Sequence, residues 1–155
     1  MQSLSKFYSK IQEIEEALSF NQTFKSPDAY DKIIRIKEEL IADGRTLTLP
    51  NGHLEVKGRI NIDHKELTTL NGLNVDIVNG GFNCFNNKLT NLIGSPEIVK
   101  GNFVCSFNPL TSLEGCPKVV EHDFFFEREE WSGPLPFTKE DIRSICRVGG
   151  DIILY

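Results

Sequence analysis

The chain has 155 residues, 39% of them hydrophobic and 25% charged, which is the composition of an ordinary soluble globular protein of one domain. Its formal charge of −5, from 17 Lys and Arg against 22 Asp and Glu, argues against direct nucleic-acid binding, because neutralising phosphates needs a basic face. No run approaches the roughly 18 apolar residues of a membrane span, and the charged N-terminus MQSLSKFYSKIQEIEE is no signal peptide, so a cytoplasmic protein without a membrane partner is expected.

Residues 1–46 read as a helical hairpin. Leu4, Phe7, Ile11, Ile14 and Leu18 recur at steps of three and four, which places them on one stripe of a helix. Ser26-Pro27 opens a second helix in the favoured cap-then-Pro order, Tyr30, Ile33, Ile34, Leu40 and Ile41 form its apolar face, and Gly44 stops it. The pair is expected to cap the N-terminal edge of a sheet formed by the remaining residues, since an open sheet edge invites aggregation. A dimerisation hairpin is the alternative, so the chain is expected to be a monomer or a weak homodimer.

From residue 47 the sequence repeats. Leu-Thr-x-Leu-x-Gly occurs as LTTLNG from Leu67, LTNLIG from Leu89 and LTSLEG from Leu110, at spacings of 22 and 21 residues, and LTLPNG at Leu47 is a weaker opening copy. After each Gly comes a short turn, with Pro96 and Pro117 in two copies, then Val or Ile, then Gly, then an alternating segment: GRINID (58–63), GGFNCF (80–85), GNFVCS (101–106) and HDFFFE (122–127). Residues 60 and 62, 82 and 84, 103 and 105, and 124 and 126 fall in register and are apolar, the period-two signal of half-buried strands. A fifth strand is VGGDIILY (148–155), which places Ile152 and Leu154 under Phe103 and Cys105. Its lead-in, WSGPLPFTKEDIRSICR, carries Thr138 and Asp141, a variant capping box for a short helix.

Written out, Phe82-x-Cys84-x-x-Asn87-x-Leu89 and Phe103-x-Cys105-x-x-Asn108-x-Leu110 resemble the L-x-L-x-x-N-x-L core of leucine-rich repeats. The resemblance is closest to the short bacterial and phage repeats of about twenty residues. It implies an α/β solenoid with a parallel sheet of about five strands, in one compact unit: a helical cap (1–46), repeats (47–131) and a modified C-terminal repeat (132–155). It also implies that the Asn side chains bond to backbone groups in the turns. Lys65 and Glu129 replace Asn in the first and fourth repeats, so an Asn ladder is confined to two repeats. The extra Gly before each strand predicts a local bulge or a flatter solenoid.

The residues of chemical interest have plain structural readings. Cys84 and Cys105 share an inward position, where a metal or a disulfide is conceivable because parallel neighbours lie about 4.8 Å apart. Their equivalents are Ile62, Phe126 and Leu154, however, and a free Cys packs as a small hydrophobe, so both are expected in the core. Cys116 and Cys146 have no Cys-x-x-Cys partner, His53, His64 and His122 lack zinc-ligand spacing, and all four thiols are expected to be free. No Gly-rich segment opens a helix as a phosphate loop would, and the acidic run Glu127-Arg128-Glu129-Glu130 reads as a solvated turn. No metal, cofactor or enzymatic activity is therefore expected.

The outward strand positions are the exception to this blandness. One column reads Asn61, Asn83, Val104, Phe125 and Ile153, and the next reads Asp63, Phe85, Ser106, Glu127 and Tyr155. With Phe107, the C-terminal half presents Phe85, Val104, Phe107, Phe125, Ile153 and Tyr155, where a wetted face should be polar. Rimmed by Arg59, Asp63, Asp123 and Glu127, this patch is expected to bind a protein partner, which makes the chain a non-catalytic interaction module. By the repeat resemblance it is a phage or bacterial accessory protein that modulates a host protein. The competing structural expectation is that the 128–146 insertion, with Trp131, Leu135 and Phe137, folds over the face. Two rival functions are an acidic nucleic-acid mimic that inhibits a DNA- or RNA-binding enzyme through Glu127, Glu129 and Glu130, and a small hydrolase using Glu129 or Glu130.

Overall fold

A computed structural model describes residues 6, 8–14, 27–129 and 133–155. Leu4, Phe7, Leu18, Ser26, Glu130 and Trp131 lie outside the described residues. Residues 8–14 are helical (α1), and α2 spans Pro27–Ala42. Of the expected apolar face of α2, Ile33 and Leu40 are buried and join the main core, whereas Tyr30 and Ile41 remain exposed. Gly44 ends the helix as expected, with a positive φ and its N–H bonded to the Ile41 carbonyl.

The described residues after α2 form a β-solenoid of stacked coils. One sheet, here the long sheet, contains six strands in the order β1 (Thr46–Thr48), β2 (Leu54–Val56), β4 (Val75–Val78), β6 (Ile98–Val99), β8 (Val119–Val120) and β10 (Arg147–Val148). The other, the front sheet, contains five: β3 (Ile60–Asn61), β5 (Phe82–Asn83), β7 (Phe103–Val104), β9 (Phe124–Phe126) and β11 (Ile152–Leu154). Among the described residues only β1 pairs antiparallel; every other pair is parallel. The front sheet is the set of strands the alternation predicts, in the predicted register: Phe103 pairs with Phe82 and Phe124, and Ile152 with Phe124. The single expected sheet becomes two, because the Val or Ile after each turn also forms a strand.

Stacking turns the repeat into buried columns. Val56, Val78, Val99 and Val120 form one, Ile60, Phe82, Phe103, Phe124 and Ile152 a second, and Ile62, Cys84, Cys105 and Phe126 a third. Leu67, Leu89 and Leu110 line the turn side. The Phe82 and Phe103 rings stack with centroids 5.7 Å apart and Phe103 meets Phe124 at 5.1 Å, adding ring contact to simple burial. Coils can approach this closely because most corners carry glycine, with His122 the exception before β9: a Cβ on Gly101 would collide with the Gly80-Gly81 backbone, and one on Gly94 with the Leu70 carbonyl. The extra pre-strand glycine thus serves close coil contact. Among the described strands the one register shift lies in the long sheet, between Leu54 and Glu55.

Two buried asparagines fill the turns, where the chain's backbone groups have no strand partner. Asn87 Oδ1 accepts from the Lys65 and Leu67 N–H groups, and its Nδ2 donates to the Ile62 and Cys84 carbonyls. Asn108 repeats the pattern one coil on, accepting from Leu89 N–H and donating to the Cys84 and Cys105 carbonyls. At the C-terminal repeat, α3 (Lys139–Ile145) opens on the predicted capping box, with Thr138 and Asp141 exchanging side-chain and backbone bonds.

Asn108→Ala should cost about 3 kcal/mol, because it strands a buried N–H and leaves two carbonyls short of a donor at roughly 1–3 kcal/mol each. Lys65→Ala, at the exposed equivalent site, should stay within about 0.5 kcal/mol of wild type. Urea denaturation of both variants checks the contrast, and equal losses would count against the turn role of Asn108.

Candidate functional site: the outer face of the front sheet

Strand register assembles the outward column as the sequence predicts, with Asn61 beside Asn83, Asn83 beside Val104, Val104 beside Phe125 and Phe125 beside Ile153. The column changes character along its length. At the N-terminal end Asn83 Nδ2 donates to Asn61 Oδ1 at 2.8 Å, and Asn83 Oδ1 accepts from Phe85 N–H, so the amides satisfy one another. At the C-terminal end Val104, Phe125 and Ile153 are half-buried and carry no polar atom, and Tyr155 is 75% exposed.

Beside this column runs a second line of rings. His64 lies 5.4 Å from Phe85, and Phe85 lies 5.1 Å from Phe107, both tilted. Phe107 reaches that place from an unusual backbone. His64, Asn86 and Phe107 occupy the same position after the strand in three successive coils, with φ of 53°, 51° and 57°. Asn tolerates this left-handed conformation, whereas a bulky aromatic is strained there. In the same outward column as Phe85, Ser106 is buried, its Oγ accepting from Glu127 N–H at 3.0 Å.

The predicted charged rim divides into engaged and presented groups. Asp123 holds the stack together: its Oδ1 accepts from Asp151 N–H at 2.8 Å, while its own N–H donates to Asn102 Oδ1. Arg59 is exposed, and its carbonyl accepts from Arg45 Nη1. Glu127 is half-buried on the face. Asp63 Oδ2 lies 2.9 Å from His64 Nδ1, and this bond is the main cause holding the Asp63 carboxyl below its usual range. Of the insertion, Leu135 and Phe137 pack against the core, with Phe137 5.5 Å from the inward ring of Phe126 instead of on Phe125.

The thiols resolve into two kinds. Cys84 and Cys105 are fully buried, their Sγ–H groups donate to the Val104 and Phe125 carbonyls, and burial pushes the Cys84 thiol up to about 12 and the Cys105 thiol well above its ordinary value. Cys116 and Cys146 are free thiols, Cys146 buried in the core and Cys116 half-buried against it. Away from the face, His53 Nδ1 lies 2.6 Å from Asp76 Oδ1 and Asn51 Nδ2 donates to Asp76 Oδ2. Burial would raise the Asp76 pKa, but these bonds outweigh it and keep the carboxyl low. Among the described residues no three His, Cys, Asp or Glu side chains gather as a metal site, and no helix is long and apolar enough to cross a membrane.

No family model matches the chain, and no curated protein or solved structure matches it.

Because its pKa is depressed in the folded state, the Asp63 carboxylate stabilises the fold above its unfolded value of about 3.9, and that contribution is lost as pH falls through the lower folded value. NMR titration should therefore place the Asp63 midpoint below about 3.9, and His64→Ala should move it back up. An unmoved midpoint would remove His64 as the cause.

Proposed function

We propose that the chain is a non-catalytic, leucine-rich-repeat-like interaction module that engages a protein partner through the apolar half of its front face. The observation that supports this most is Phe107. Local backbone preference at its site favours Asn, which the preceding coil uses as Asn86, yet an aromatic stands there half-exposed against Phe85. Strain accepted for a ring that fills no core fits a residue kept for contact. Val104, Phe125, Ile153 and Tyr155 extend the same surface, and aromatic anchors of this kind carry much of the binding energy in protein interfaces. The carboxylates at its margin, Asp63 and Glu127, and the net charge of −5 favour a partner whose apolar contact surface is ringed by basic groups. The repeat resemblance adds that such a module modulates a host protein as a bacterial or phage accessory factor, acting as a monomer or weak homodimer.

Phe107→Asn separates binding from folding. Relief of the left-handed strain and loss of the ring contact are each about 1 kcal/mol and opposed, so its stability should stay within about 1 kcal/mol of wild type. Affinity capture from the cells of origin should retain a protein on the wild-type chain that is lost on Phe107→Asn and on Phe125→Ser. Retention of the same protein by both folded variants would overturn the reading. Loss only on Glu127→Gln with Glu129→Gln, with steep salt dependence, would point instead to an acidic nucleic-acid mimic.

A further inference from the structure

The long sheet carries an outward column of its own, separate from the front face. Strand register sets Leu47 beside Glu55, Glu55 beside Ile77, Ile77 beside Ile98, Ile98 beside Val119 and Val119 beside Arg147. The next residue in four of these strands, Val56, Val78, Val99 or Val120, is buried in the core, so the column itself faces away from it. Leu47 and Arg147 are exposed, and Glu55, Ile77, Ile98 and Val119 are half-buried. From Glu55 onward the column therefore reads as an acid, three branched aliphatics in consecutive coils, and a cation. Aliphatic side chains on three successive coils are out of place on a wetted sheet face. At the two ends, Glu55 Oε1 accepts from Asn79 Nδ2 at 2.8 Å, and Arg147 has no ion pair among the described residues.

We propose that this column is the contact surface of a weak homodimer, in which a second copy of the chain lies against the first with its coils stacked in the reverse order. The column is complementary to its own reversal. A twofold axis parallel to β6, in the plane of contact, sets Ile98 against Ile98, Ile77 against Val119 and Glu55 against Arg147, each unlike pair occurring twice as an isologous contact requires. With coils about 4.8 Å apart, the acid and the cation stand roughly 19 Å from each other in each copy, so a slip of one coil would break both ion pairs at once. An axis along the stack would instead oppose Glu55 to Glu55 and Arg147 to Arg147, which like-charge repulsion disfavours. At the margins Glu97 is bonded to Lys118 of its own copy at 2.9 Å, and Lys100 stands beside Glu121 of the next coil, so the charges nearest the axis bring their countercharges with them. A foreign partner would have to supply this ladder of charge and aliphatic groups, whereas a second copy has it by symmetry. The face measures only about 20 Å by 10 Å, far below the roughly 800 Å² per partner of a standard interface, which sets the expected dissociation constant on the order of 100 μM.

The test is sedimentation equilibrium of the full chain from about 10 μM to about 1 mM, with amide NMR spectra over the same range. The average mass should climb from monomer towards dimer, and the amides of Ile77, Ile98 and Val119 should shift with concentration while those of Val104 and Phe125 stay still. Glu55→Arg and Arg147→Glu should each weaken association about tenfold, because each sets like charges opposite one another on both sides of the axis. Mixing the two variants, or joining both substitutions in one chain, should restore association. A chain that stays monomeric throughout, shifts that map to the front face or to α1, or single variants that associate like wild type would overturn the proposal. Stripe amides that move only when cell extract is added would give the face to a foreign partner and equally overturn it. The wild-type measurements decide even if a variant does not fold.

Discussion

Everything in this molecule depends on one backbone constraint: each coil of the front sheet must hand its N–H groups to the carbonyls of the next coil in one fixed register. Ile60, Ile62 and His64 donate to Gly81, Asn83 and Phe85; Phe82, Cys84 and Asn86 donate to Asn102, Val104 and Ser106; Phe103, Cys105 and Phe107 donate to Asp123, Phe125 and Glu127. A parallel ladder of this kind brings equivalent residues within about 4.8 Å of each other. Equivalent positions must therefore be compatible with themselves when stacked. Phenylalanine rings satisfy that by stacking, cysteines by being small, glycines by vanishing at the corners and asparagines by bonding across to the neighbouring turn. A slip of one residue would turn every core side chain of a strand to solvent, so the register is the least negotiable feature of the fold.

The same constraint explains why the outer face is informative. Inward positions are dictated by stacking, and corner and turn positions by coil contact, which leaves the outward side chains as the part of each repeat not committed to the fold. Asn61 and Asn83 use that freedom for a self-satisfied amide pair. Val104, Phe125 and Ile153 do not, and Phe107 adopts a backbone that an asparagine fills more comfortably one coil earlier. A rigid stack holds these groups at fixed spacing, which lowers the ordering cost of binding.

The front sheet was legible in the sequence because its alternation runs long enough to show a period of two, and because four copies fall in register. The capping box at Thr138 was legible because it is a short-range pattern whose partners sit three residues apart, and the turn roles of Asn87 and Asn108 were implied by the repeat resemblance, their partners lying in the same turn or one repeat away. The long sheet was not. Two of its strands, Ile98–Val99 and Val119–Val120, are adjacent apolar pairs flanked by charged residues, so their sequence shows no period-two alternation. Asp123 looked like a rim charge because its partner, Asp151 N–H, belongs to a coil reached only after the insertion.

The measurement that bears most directly on the register-locked stack is native-state amide hydrogen exchange, resolved by residue, on the full chain. The Cys84, Asn86, Cys105 and Phe107 amides each bridge one coil to the next. The ladder predicts that all four exchange only through a shared opening, with a free energy equal to that of global unfolding in denaturant. If one coil's pair exchanged through its own lower-energy opening, or all four exchanged at the rate of exposed turns, the stack would not be a single cooperative unit and the fixed geometry of its outer face would be contradicted.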